Sequence, residues 1–430
     1  MIKILYFPTR YFPAISGAEF YMQRMAEIFN SKNSFSIKIY TSNALDFMAL
    51  RESNGKVVQQ SNKYYFNVNK LEINRFPITH DLTLEEKLAI FNECSVLKTL
   101  NLKQKTLNEF VKNGPFMKDI FEKNLLFQPK FDIIHATFYP YLNLIFALLI
   151  GKAQEIPVIC TPFFHFANPR YLNKDLTSIL KNFDHLIACT NAEKKFLVKK
   201  KIISEEKISV IPMGVDYETF DPKLLKKKKI KSFKKTFFNN GETSYKMVLF
   251  CGYKNFEKGA ISLLKAIPFI INKYKKVYFV FIGPSTEAFN REFRNLEKKY
   301  RSRIINLTPS NLKGYYDEKK IAAFIESDVY VMPSRSDAYG ISFLEAWAAR
   351  TPVIGARIGA TPEVIKENVD GLLVNFNDEQ DIAQKILILL RKKRLNKKLA
   401  SNGYKKVRNE LSWQEITNKT EKLYKNILRC

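Results

Sequence analysis

Short apolar runs alternate with helix-length amphipathic stretches along the whole chain. In the first half, IKILYF, SIKIYTS, FDIIHAT, PVICTPFF, HLIACT and ISVIP read as strands. In the second half the same pattern returns as KMVLFCGY, VYFVFIGP, RIINLTP, VYVMPS, PVIGA and GLLVN. These runs are too apolar for the edge of a solvated antiparallel sheet. Strands of this kind, separated by helices, imply parallel sheets covered on both faces. The spacing predicts one long helical region over residues 82–126. The fold class expected is therefore α/β, with two doubly wound, Rossmann-like domains in tandem. The boundaries expected are a first domain over 1–212, a lysine-rich linker over 213–245 and a second domain over 246–411. A terminal segment, 412–430, has helical apolar spacing and is a candidate to pack back on the first domain.

A length of 430 residues supports two domains. With 46% hydrophobic and 26% charged residues, each can bury a core. Cysteines stand at 94, 160, 189, 251 and 430. Their number is odd, there is no CxxC pair, and no secretory signal precedes them. The expectation is a reducing cytosol and inert core thiols. The four histidines are not spaced with cysteine as metal ligands, so no structural zinc is expected. The apolar stretch YLNLIFALLIG is too short to span a bilayer, which takes about 20 residues. Charge changes the picture more. The net charge is +28. Residues 1–216 hold 28 basic against 20 acidic side chains, and the rest hold 42 against 22. Two segments are dense in lysine and arginine, 223–235 and 391–408. Such an excess favours an anionic partner, whether phospholipid, phosphorylated substrate or nucleic acid, unless it is only a solvated lysine bias.

The stretch SRSDAYGISFLEA, Ser334–Ala346, carries the most chemistry. VYVMP before it is a buried strand, and GISFLEAWAAR is helical. Asp337 then lies in a loop at a strand's carboxyl end, where open parallel sheets bind ligands. The free N–H groups at the following helix start suit a phosphate. Glu345 lies among Phe343, Leu344, Ala346 and Trp347, where a lone carboxylate is costly unless something binds it. Two readings are open for it. It can hold ligand hydroxyls, or it can close a capping box with Ser342.

The run PSRSDAYGISFLEAWAARTPVIGARIGATPEVIKENVDGLLV resembles the signature of the retaining glycosyltransferases of family four, the group 1 family with the GT-B fold. SGAE (Ser16–Glu19), FDIIHAT, ISVIPMGVDYETF, FCGYKNFEKGAISLLKAI and the terminal LSW segment resemble further family pieces in the same order. The resemblance implies two Rossmann-like domains facing across a cleft, with a nucleotide-sugar donor held mainly by the second. It implies that Glu345 holds ribose hydroxyls and Asp337 hydroxyls of the donor sugar. Amides of Tyr339, Gly340 and Ile341 would approach the phosphates, and Lys258 would neutralise the departing diphosphate. Gly17 and Gly252 would let backbone come close to the donor, and Lys254 would add charge. His165 would act near the reacting carbon. His135, also at a strand's carboxyl end, is its competitor and reads as structural.

The chain departs from the family pattern at four places. Asp337 stands for the usual glutamate, Tyr253 for the usual arginine, and Ala18 and Ala360 for glycines. The reaction implied is metal-independent transfer of a hexose from a UDP- or GDP-linked sugar, with retention, and with no cofactor. A glycan or glycolipid acceptor at an anionic membrane surface suits the basic excess and the segments FEKNLLFQPK and KKFLVKKKI. The expected location is the cytoplasm, or the inner face of the cytoplasmic membrane as a peripheral protein. The alternatives are a non-catalytic GT-B partner subunit and a basic nucleic-acid-binding protein; the latter lacks the standard reading motifs.

Overall fold

Every apolar run named above forms a strand in the computed structural model, which describes residues 1–59, 67–227 and 229–429. Lys228 and Cys430, which fall in the basic segment and the cysteine set above, lie outside the described residues. The strands in chain order are β1 (Ile2–Pro8), β2 (Phe35–Ser42), β3 (Asn67–Val68), β4 (Leu71–Phe76), β5 (Ile133–Thr137), β6 (Val158–Cys160), β7 (His185–Ala188) and β8 (Ile208–Val210), then β9 (Lys246–Cys251), β10 (Val277–Ile282), β11 (Ile304–Leu307), β12 (Val329–Met332), β13 (Val353–Ala356) and β14 (Gly371–Val374). The chain divides into two units, residues 1–212 with 416–430, and residues 213–415.

The first unit holds the sheet β3-β4-β2-β1-β5-β6-β7-β8. All its ladders are parallel except the two-residue β3, which pairs antiparallel with β4. The sequence pattern missed β3 and β4. The stretch YLNLIFALLIG forms the core of the helix Asn143–Gln154, whose side chains from Asn143 to Gly151 are all buried. A helix that is apolar all round belongs in a core. Its Asn143 donates to the carbonyls of Phe7 (2.9 Å) and Thr137 (2.6 Å), which ties together the ends of β1 and β5. The region 82–126 is not one helix. It breaks into Leu84–Glu93, a 3-10 turn Ser95–Leu100, Gln104–Asn113 and a single turn Asp119–Glu122. The breaks fall at Cys94, in extended backbone, at Asn101, in the left-handed region, and at Gly114, with φ +62°. Periodicity carried through these breaks because the apolar residues on both sides face one core.

The C-terminal helix Trp413–Arg429 belongs to the first unit from Ile416 onward. Ile416, Thr417, Thr420 and Tyr424 are wholly buried, and Lys32 pairs with Glu421 at 2.5 Å. The second unit holds the parallel sheet β11-β10-β9-β12-β13-β14. Residues 213–245, expected as a linker, are folded into this unit. Phe220 and Phe233 are buried, Val215 bridges to Ser412, and Ser232 and the Lys234 N–H both bond Glu326. Lysines dominate the composition there, but the aromatic residues between them supply the anchoring. Among the described residues no helix is long and apolar enough to cross a membrane.

Candidate active site

In the second unit the strand order reverses between β9 and its neighbour β12. A crevice opens outside the carboxyl ends of strands at such a reversal. Two loops meet there. One follows β9 and runs through Lys258 to the helix Ala260–Lys273; the other follows β12 and runs through Asp337 to the helix Ile341–Ala348. They are stitched by Arg335 N–H to the Glu257 carbonyl (2.8 Å), by Ser334 Oγ to the same carbonyl (3.1 Å), and by the Arg335 guanidinium on the Glu257 carboxylate. Gly259 makes this approach possible. Its φ is +74°, and a Cβ there would lie 2.3 Å from the Pro333 carbonyl oxygen. Across the junction Lys258 Nζ donates to Asp337 Oδ2 at 2.7 Å, with both side chains mostly buried. The two residues that sequence reading named separately are therefore one ion pair. An ammonium carries three donors, so Lys258 can serve Asp337 and still face an anion.

Gly340 starts the helix with φ +89°, and a Cβ on it would sit 2.6 Å from the Phe343 ring. Tyr339, Gly340 and Ile341 are all buried at this start. Phe343 N–H bonds the Gly340 carbonyl at 2.9 Å, while the N–H groups of Ile341 and Ser342 precede the first intrahelical acceptor and carry partial positive charge. Ser342 and Glu345 do not form a capping box. Gly340 occupies the cap position without a side-chain bond, and Ser342 Oγ lies 3.6 Å from Met332 Sδ. Glu345, 1% exposed, instead accepts from Lys320 Nζ at 2.8 Å through Oε1. Its Oε2 is buried without a hydrogen bond. Burial pushes the Glu345 carboxyl above its ordinary range, with Lys320 and Tyr315 acting against that. Lys320 is buried too, and its ammonium lies 3.6 Å from the centre of the Tyr315 ring.

Sequence reading missed Lys320. The signal was present: in the helix Glu318–Glu326, Lys320 falls on the same face as Ile321 and Phe324, where a solvated lysine does not belong. The Arg335–Glu257 pair was also missed, because partners so far apart in sequence have no local signature.

Lys254 is fully buried. Its Nζ donates to Asn306 Oδ1 and to the Leu307 carbonyl (2.9 Å), so its charge is used to bind the end of β11 to the end of β9. Burial pulls its ammonium down to about 8. Tyr253 is 44% exposed beside it. A Cβ on Gly252 would meet nothing nearer than 3.7 Å, so packing within the protein does not require glycine there.

In the first unit Gly17 begins the helix Gly17–Asn30 after β1, with Ser16 at the cap. Ser16 Oγ donates to Glu19, and Glu19 is held by the buried Arg10 at 2.7 Å. That pair fixes the loop around Gly17. His165 follows β6, half-buried, with its ring 4.8 Å from Tyr171. His135 is wholly buried between the Tyr424 hydroxyl (2.5 Å from Nδ1) and Thr161 Oγ1 (2.7 Å from Nε2). Both nitrogens are satisfied, and burial alone pulls the imidazole down to about 3. It is a structural histidine.

Two family models match this chain, between them over more than half of its length. "Glycosyl transferases group 1" matches residues 232–406, and "Glycosyltransferase Family 4" matches residues 100–219. The chain belongs to the group 1 glycosyltransferases. In this glycosyltransferase the first match takes in Lys258, Lys320, Asp337 and Glu345, and the second takes in His165 but not Gly17. The glycosyltransferase is 26% identical over 303 residues to the sulfoquinovosyl transferase SQD2 of Arabidopsis thaliana, covering 67% of this chain and 55% of the plant protein. It is 23% identical over 317 residues to the phosphatidylinositol N-acetylglucosaminyltransferase GPI3 subunit of Saccharomyces cerevisiae, covering 71% of this chain and 65% of the yeast one. The chain thus spans less than two thirds of either relative. Among solved structures, Anabaena Alr3699/HepE in complex with UDP and glucose superposes with a TM-score of 0.70 at 14% identity, over 99% of this chain and 100% of that one. The fold of the glycosyltransferase is GT-B, with two Rossmann-like units.

Proposed function

We propose that the protein transfers a hexose from a nucleoside-diphosphate sugar to an acceptor hydroxyl with retention, without a metal ion or cofactor. The observation that carries this reading is the crevice at the β9/β12 reversal. The loop and helix after β12 carry Asp337, paired with Lys258, and then a buried Glu345 carboxylate with one unbonded oxygen, and these features support the reading. Glu345 Oε2 is suited to accept a ribose hydroxyl, and the amides at Tyr339, Gly340 and Ile341 to meet the diphosphate. Lys258 would stabilise the charge that grows on the leaving phosphate, while Asp337 accepts from the sugar hydroxyls.

The bond from the anomeric carbon to the diphosphate breaks, and the acceptor oxygen bonds the same face of that carbon. The acceptor proton passes to the leaving phosphate oxygen, so no protein nucleophile is consumed. The neighbours with bound UDP, glucose and UDP-glucose support a uridine nucleotide as the first donor to try. The relative named for phosphatidylinositol supports a lipid-linked acceptor.

The test is calorimetry of UDP-, GDP- and ADP-sugars in the presence of EDTA, on wild type and on Glu345→Gln. Wild type should bind one nucleotide class, and the variant should bind it at least tenfold more weakly. A folded wild-type protein that binds none of them overturns the reading. Binding without turnover on any lipid-linked or glycan acceptor would favour the partner-subunit reading.

A further inference from the structure

The two dense basic segments converge on one place in the second unit. An open cavity of about 720 Å³ is lined by Lys223, Lys227 and Lys229 from one segment, and by Lys405 and Arg408 from the other. Arg350 adds a sixth cation. Its position fixes the location. Arg350 follows the C-terminal end of the helix Ile341–Ala348 and precedes β13, so it lies at the amino end of the sheet. The candidate active site lies at the carboxyl end. The cavity is therefore a second site and not an extension of the first.

None of the six cations has an ion-pair partner among the described residues, although Lys406, in the same helix, pairs with Asp370 at 3.0 Å. Helix dipoles account for part of the arrangement. Arg350, Lys405 and Arg408 lie at or near the C-terminal ends of two helices, where cations are favoured. Lys223 and Lys227 also lie at a helix end, but that helix, Lys223–Lys226, is a single turn with a small dipole, and Lys229 lies beyond it. Like charges gathered around one cavity repel one another, weakly in water and less weakly once solvent is displaced. Only Glu218 and Asp221 oppose them among the lining residues, and the Asp221 carboxylate also accepts from the Lys223 N–H at 2.8 Å.

The cavity is also framed rather than loose. The Arg350 guanidinium lies 4.1 Å from the centre of the Tyr404 ring, which holds its planar donors in place. A Cβ on Gly403 would lie 1.9 Å from the Trp347 ring, so the helix that carries Tyr404, Lys405 and Arg408 is packed against the helix that ends beside Arg350. A volume of this order matches a small-molecule site, which is commonly about 300–1,000 Å³.

We propose that this cavity binds a ligand bearing more than one phosphate charge, separately from the donor site. The phosphate can belong to a soluble phosphorylated molecule or to the headgroup of an anionic lipid. The site does not depend on the sugar-transfer reading, since none of its residues takes part in that crevice.

The test uses the full chain and the triple variant Arg350→Gly, Lys405→Gln, Arg408→Gln. Arg350 has φ +61°, which glycine adopts without strain, and the other two side chains are exposed, so the variant keeps its fold. Two probes are titrated at 150 mM salt with the donor site saturated by whichever nucleotide binds, or unsaturated if none does. They are inositol hexakisphosphate, and vesicles of phosphatidylcholine with about 5% phosphatidylinositol 4,5-bisphosphate, whose headgroup carries several phosphate charges. A control variant, Lys275→Gln with Lys276→Gln, removes two exposed charges that do not line the cavity. Saturable binding of the soluble probe, weakened at least tenfold in the triple variant and not in the control, supports a soluble ligand. The same pattern with vesicles alone supports a headgroup. Binding of neither probe, or equal losses in the triple variant and the control, overturns the proposal.

Discussion

A buried carboxylate in an apolar helix is costly unless something answers its charge, and Lys320 is what answers Glu345. The pair is worth little as net stability, but breaking it is expensive. Lys320→Met should cost about 3–5 kcal/mol, read from urea unfolding, because it strands the carboxylate. Lys320→Met combined with Glu345→Met should recover most of that loss while donor binding stays abolished. If the double variant is no more stable than the single one, the pair is not what the site is built around. The folded-state shift of Glu345 is upward, so its contribution is full below about pH 4.5 and fades as pH rises through the raised value. His135 works in the opposite direction. Its folded value of about 3 lies below the ordinary 6.5, so the stability that it supports is present above pH 6.5 and is lost as pH falls toward 3. Between pH 7 and pH 5 this one group should remove about 2 kcal/mol. In His135→Gln the unfolding free energy should fall correspondingly less over that interval. An unchanged slope would mean that other groups carry the acid sensitivity.

The helix Ile341–Ala348 carries the amides proposed to meet the donor, and its start depends on one residue. Gly340→Ala puts an L residue at φ +89° and its Cβ against the buried Phe343 ring. The strain should cost about 1–2 kcal/mol, seen as a lowered Tm, with a weaker nucleotide-sugar affinity. A variant with wild-type Tm and affinity would show that the loop relaxes freely. Much of this element was readable in advance. An apolar strand, a loop with an acid, a glycine and an apolar helix can be ordered on a sheet without coordinates, so Asp337 and Gly340 could be assigned to a carboxyl end. The fate of Glu345 could not be read from its own segment, since Ser342-x-x-Glu345 spells a capping box locally and the partner that overrides it is 25 residues away. The helical region 82–126 failed for a related reason. Its apolar period reports which face meets the core, and that face continues across Cys94, Asn101 and Gly114 although the backbone does not stay helical. Strand β4 has no continuous apolar run to betray it, since Glu72, Asn74 and Arg75 interrupt it, although Arg75 is buried.

At the scale of the chain, the repeat of strand patterns implies a division near Pro212, and the lysine-rich stretch after it, expected as a linker, is folded into the second unit. Composition saw the lysines; folding follows Phe220 and Phe233. The terminal segment was read only as a candidate for return to the first unit, and its role there is specific. Ile416 and Tyr424 are wholly buried in that unit, and the Tyr424 hydroxyl meets His135 and lies 3.3 Å from the Tyr6 hydroxyl. Ending the chain at Glu415 exposes the surface that this helix covers and leaves one nitrogen of His135 without its partner. Burial of the large apolar side chains contributes about 1.5–3 kcal/mol each, so the first unit should lose about 5 kcal/mol. The second unit keeps all of its own residues, including Trp413 against Gly214. Calorimetry should therefore resolve an early transition, assigned to the first unit by hydrogen exchange, and a later one at the wild-type position that still responds to nucleotide sugar. A truncated chain that melts in one transition at the wild-type temperature would show that the helix is dispensable to the first unit. One that loses both transitions would show that the two units do not fold independently.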